Sequence, residues 1–170
     1  MLSVLFVVLA ASLAAPHASL SREALLNSPT RHVRTMNADV QRLLASGIDR
    51  SPTFHAMMAR LEGTDVIVYI EPVPMLPGTL VGRLVMLPYG GSQRYLRIQV
   101  TFGQSSADTI ALIGHELRHA LEIAEARNVV DEKDLIALYR RIGDRAREGL
   151  HQYDTAAARS TGQRVSRELA

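Results

Sequence analysis

His115 and His119 stand four residues apart with Glu116 between them, and this is the one stretch of the chain where residue type and spacing together specify a chemistry. On an α-helix each residue turns about 100°, so the two imidazoles project from one face within about 6 Å of each other. Neutral imidazole suits Zn²⁺, and a fourth position left open lets that ion lower the pKa of a water towards ~7. Glu116 lies about a quarter-turn round from His115, in the place of a general base rather than a ligand. The plainer alternative is an amphipathic helix with two histidines on a solvated face. Ile110, Leu112, Ile113, Leu117, Ala120 and Leu121 supply its apolar residues in either case.

Catalytic zinc takes three protein ligands, so the two histidines need a partner. Three residues are candidates. Glu122 follows His115 by nearly two turns and shares the histidine stripe, either as a ligand or as an acceptor that holds His119. His151 is a suitable ligand type in a short loop. Asp154 stands at the head of the inward stripe Ala158, Thr161 and Val165, and it is the preferred third ligand; its alternative role is an ordinary helix N-cap. Tyr153 and Tyr95 are the phenols available to stabilise an oxyanion.

His115-Glu116-Leu117-Arg118-His119 resembles the His-Glu-x-x-His signature of the zincin metallopeptidases, although Arg118 stands where those enzymes usually carry an uncharged residue. The resemblance implies a zinc peptidase with Glu116 as base, and a sheet edge beside the metal helix, provided by the strand over 94–102, with which an extended peptide pairs. Metzincins continue with Gly and a third His where this chain has Glu122 and Glu125, so that branch is excluded. The aspzincins draw an Asp from a downstream segment, as Asp154 would be drawn, but their wider motif is missing. From Ser51 to Leu169 the chain also resembles a family of uncharacterised bacterial secreted proteins with a Gly-His-Glu-Leu-x-His-Ala core. Tyr153-Asp154-Thr155-Ala156 matches that family's closing motif, a likeness that implies an ordered domain rather than an activity.

The elements that must position these residues follow from periodicity. Val33, Met36, Val40, Leu43 and Leu44 predict a helix from Thr30 to Ala45 with Gly47 as its stop, and Ser51-Pro52 starts a second that runs to Gly63. Strands are expected over 65–71, 80–87 and 94–102, the last alternating cleanly, with Pro72, Pro74 and Pro77 making one link extended and Pro88-Tyr89-Gly90-Gly91 a hairpin connection. The motif helix runs from Asp108 to about Arg127. A further helix is capped by Asp131 and ends at Gly149, and the last starts near Asp154. The expectation is an α+β domain: a small antiparallel three-stranded sheet packed on a zincin-like active-site helix, with additional helices.

The 170 residues fit one domain, assigned to 30–170, after a signal peptide at 1–18 and a linker at 19–29. Residues 1–15 are an apolar run too short to span a bilayer comfortably, followed by small residues and Pro16, which reads as a secretory signal; an uncleaved membrane anchor and a buried N-terminal helix are the alternatives. The location expected is therefore secreted or periplasmic. There are no cysteines, so core packing and a metal must stabilise the exported domain. A net charge of +2, with arginines scattered among acids, does not indicate nucleic acid. Two functional readings follow: a secreted zinc hydrolase acting on peptide or protein, and a non-catalytic envelope interaction module with a structural or vestigial metal site. They part at Glu116, because a closed structural site has no use for a base.

Overall fold

The computed structural model describes residues 20–88, 91–145 and 153–170, with only the backbone at 144, 145 and 153. The signal-peptide expectation for 1–18 and the candidate His151 lie outside the described residues. Among those described the order is α1 (Arg22–Asn27), β1 (Val33–Arg34), α2 (Ala38–Arg50), α3 (Pro52–Glu62), β2 (Val66–Val73), β3 (Gly82–Met86), β4 (Arg94–Thr101), α4 (Ser106–Glu125), α5 (Glu132–Ile142), β5 (Asp144–Arg145), β6 (Tyr153–Asp154) and α6 (Ala156–Leu169).

The sheet is mixed and has four strands, ordered β1-β2-β4-β3, which corrects the expected antiparallel three-stranded arrangement. β2 runs parallel to β4 from Val66↔Arg94 to Val73↔Thr101, and β3 runs antiparallel on the other side of β4. The error came from seating consecutive strands side by side. The link after β2 instead carries the chain to the far edge, and β4 returns between its two predecessors. Pro72 is tolerated within β2 because β1 pairs only with Val68 and Tyr69, which leaves the rest of that flank without a ladder to break. A separate two-stranded ribbon pairs Asp144 with Asp154 and Arg145 with Tyr153.

Alternation along β4 sorts the two faces. Leu96, Ile98 and Val100 are fully buried and join Val66, Val68 and Ile70 of β2 under the helices. α4 lies at the centre of that layer, in contact with all three long strands and with α2, α3 and α6. Its Ile110, Ile113, Leu117 and Ala120 are wholly buried, so the helix that carries the histidines is also the core's principal filler.

Other boundaries differ for identifiable reasons. The expected helix start at Thr30 fails because Val33 and Arg34 pair with β2, and Asn37 caps the true start by accepting from Asp39 and Val40. Met36, counted in the apolar stripe, is fully exposed. Gly47 does not stop α2 but sits inside it, where an added Cβ would come 2.9 Å from the Phe54 ring and 3.0 Å from Ile110. It permits close packing. Within the stretch expected as linker, α1 buries Leu25 and Leu26 in the core. α5 ends at Ile142 rather than Gly149, its cap Gly143 donating to the Tyr139 carbonyl.

Candidate metal centre

Ser105 starts α4, its hydroxyl accepting from the Asp108 amide at 3.1 Å, and twenty helical residues follow without a break. That regularity sets His115, His119 and Glu122 along one side. α6 approaches this side closely: a Cβ at Gly162 would stand 3.3 Å from the His115 Cβ. The absence of a side chain there lets α6 press against the histidines and so brings Asp154, two residues before α6, over them.

Asp154 Oδ1 lies 3.4 Å from His115 Nε2 and 3.7 Å from His119 Nε2. These separations are wider than the 2.7–3.2 Å of a good hydrogen bond. They are close to the roughly 3.3 Å edge of a tetrahedron whose ligands sit ~2.0–2.1 Å from its centre. One ligand atom from each of the three residues falls within 4.8 Å of the others, so His115, His119 and Asp154 form a cluster that could hold a metal ion. Burial, reinforced by His119, holds His115 below the ordinary imidazole value despite Asp154 nearby, which favours the neutral ring that a metal needs.

Beside the cluster a second set of contacts holds the His119 ring. His119 Nδ1 lies 2.9 Å from Glu122 Oε2, and Glu122 Oε1 accepts the Thr155 hydroxyl at 2.7 Å. Glu122 is thereby placed as the orienting acceptor of His119 and not among the converging atoms. Burial pushes its pKa up, but the bonds from His119 and Thr155 and the charge of Arg118 more than offset this and hold it low. Arg118, one turn before Glu122 on the same side of α4, lies 3.7 Å from Glu122 and 3.3 Å from Glu125. Thr155, and not Asp154, caps α6 by accepting from the Ala158 amide at 3.0 Å, which leaves Asp154 on β6. The N-cap alternative for Asp154 is thereby excluded.

Glu116 is 6% exposed, and among the described residues its carboxylate makes no hydrogen bond. A carboxyl with so little exposure is costly to hold in its charged form. Burial first, with Asp154 adding to it and His119 opposing, raises its pKa to about 7. Its space exists because β3 begins with a glycine: a Cβ at Gly82 would come 3.2 Å from Glu116 Oε1 and 2.8 Å from Leu112 Cδ1. β4, expected to offer a pairing edge to an extended peptide, is bonded on both sides; the free edge next to Glu116 is β3.

Tyr95 stacks on Tyr69 at 6.5 Å between ring centres, on the sheet face away from α4, and so takes no part in the cluster. Tyr153 is described only as backbone on β6. A third tyrosine went unmarked in the sequence. Tyr139 of α5 sets its ring edge-on to His119 at 5.4 Å and 86°, and burial followed by the charges of Glu122 and Glu116 pushes its phenol pKa well up. Its place in the apolar face of α5 was legible, but nothing in the sequence pointed that face at His119. A cleft of about 800 Å³, lined by Arg118, Glu122, Arg141 and Thr155, opens beyond the acceptor side of His119 and has neither Glu116 nor Asp154 in its wall.

Compared with protein-family models, curated proteins and solved structures, the chain matches none. The case for this site is therefore carried by its geometry.

Proposed function

We propose that the chain is a secreted zinc-dependent hydrolase of peptides, with His115, His119 and Asp154 as the metal ligands and Glu116 as the general base. The observation that carries this reading is the convergence of His115 Nε2, His119 Nε2 and Asp154 Oδ1 at distances suited to a shared ion. Zinc held there would supply Lewis-acid polarisation of the reacting carbonyl and of water. Glu116 takes a proton from the attacking water and returns it to the leaving amine, a role favoured by a carboxyl whose pKa stands near neutrality. Glu122 keeps the His119 ring in one orientation and one tautomer, its Nε2 turned to the cluster. The free edge of β3 pairs with an extended peptide and delivers a carbonyl beside Glu116. Export is supported by the apolar run at the N-terminus, and among the described residues no helix is long and apolar enough to cross a membrane.

Unfolded casein and a mixed peptide library are the substrates for the test, since an edge strand favours extended chains. The zinc-loaded wild type is expected to cleave them, and Glu116→Gln to lose at least ~10²-fold in rate while keeping its zinc. If both proteins are inert with zinc bound, the envelope interaction module with a structural metal becomes the better reading.

A further inference from the structure

The two oxygens of Asp154 have different partners. Oδ1 faces both histidines and also accepts the Thr155 amide at 2.7 Å, whereas Oδ2 lies 3.2 Å from Arg159 Nη1. Arg159 is on the second turn of α6, so the helix that seats Thr155 against Glu122 also carries the cation that engages the far side of the ligand carboxylate. A carboxylate on a metal binds through one oxygen or two, and the choice depends on what else engages the second oxygen. With Oδ1 pinned by a backbone N–H and Oδ2 drawn to a guanidinium, the carboxylate has one orientation in which a single oxygen addresses the histidines.

We propose that Arg159 is a positioning residue that sets the coordination number of the metal centre, holding Asp154 to ligation through Oδ1 alone. Two histidines and one oxygen make three protein ligands and leave a fourth position open, as a catalytic site requires. Without the guanidinium, Oδ2 would be free to turn towards the ion as a fourth protein donor beside Oδ1. The centre would then be more crowded, with the open position narrowed and distorted from its tetrahedral place. The effect on affinity is opposite in sign to ordinary damage, since an added donor strengthens metal binding as it weakens catalysis.

This inference rests on the ligand set proposed above, and the experiment separates the two. Wild type and Arg159→Ala, stripped of metal by a chelator, are titrated with cobalt(II), whose visible absorption reports the number and type of its donors. The half-exposed position of Arg159 leaves the fold intact, which circular dichroism checks. Wild type is expected to show the intense bands of a four-coordinate ion. Arg159→Ala is expected to show changed bands with equal or tighter cobalt affinity and, in the zinc form, a turnover at least ~10-fold lower. Identical cobalt spectra, or an affinity that falls in Arg159→Ala, would overturn the role given to Arg159 and leave the ligand set standing. A wild type that binds no cobalt would overturn the ligand set, and the inference with it.

Discussion

The hydroxyl of Thr155 donates to Glu122 Oε1 at 2.7 Å, so the residue that caps α6 also holds the carboxylate that orients His119. One side chain thereby locks the strand carrying Asp154 to the helix carrying the histidines. Thr155→Val keeps the shape but removes both bonds. It should cost about 1 kcal/mol through the lost cap and weaken zinc by roughly 10- to 100-fold through the loosened His119. Thr155→Ser should stay near wild type. Competition with a chromophoric chelator measures this, and equal zinc affinity in Thr155→Val would show that Glu122 orients the ring without help.

Arg94 is 1% exposed, and it collects the end of α4. Its guanidinium donates to the carbonyls of Ile123, Ala124, Ala126 and Val129 and pairs through two nitrogens with Asp65. Arg94→Met removes the guanidinium from the carboxylate and from the Ala124 and Val129 carbonyls, while Ile123 and Ala126 keep backbone donors, and should destabilise the protein by ~3 kcal/mol or more. Urea unfolding measures it. A loss below ~1 kcal/mol would mean that water replaces the guanidinium.

The same pair predicts a pH response. The hydrogen bonds from Arg94 hold Asp65 below its ordinary value of 3.8. A carboxyl with a lowered folded pKa contributes stability that is present above the unfolded value and is lost as pH falls through the folded one. Wild type should therefore lose part of its stability below pH ~4, and Asp65→Asn should be weaker at neutral pH with a flatter acid limb. Asp65 is 43% exposed, so solvent screening keeps the size modest. Parallel acid limbs in the two proteins would count against the pairing.

Gly82 makes room for Glu116, the proposed base. Gly82→Ala puts a methyl 2.8 Å from Leu112 Cδ1 and 3.2 Å from Glu116 Oε1, so both side chains must shift, and no positive φ at this position adds backbone strain to the effect. Peptide cleavage should fall by roughly 10- to 100-fold through misplacement of Glu116, with zinc content unchanged. Full activity in this variant would mean that Glu116 moves freely and is not held by β3.

The converging atoms were legible in the sequence because two of them sit on a regular helix, where a spacing of four has one geometric meaning. Asp154 was legible more weakly, from its place before an inward stripe, and the nearby cap belongs to Thr155. The order of the sheet was not. Alternation says which face of β4 is buried but not which strands flank it, so the strand chosen for a peptide's edge turned out to be central. Arg94 shows the limit of reading charge as surface. It occupies a buried position in the alternation of β4, and the carbonyls at and beyond the end of α4, together with Asp65, explain how a guanidinium is tolerated there.

The central claim is that one zinc ion is held by His115, His119 and Asp154, and elemental mass spectrometry of the purified protein tests it most directly. Wild type, purified without chelator and supplied with zinc, should retain about one zinc per chain, and His119→Ala and Asp154→Ala should each retain far less while staying folded by circular dichroism. The same measurement distinguishes zinc from iron, which two histidines and a carboxylate also accommodate. A folded wild-type protein without stoichiometric zinc, or an Asp154→Ala variant that binds it as well as wild type, would contradict the account.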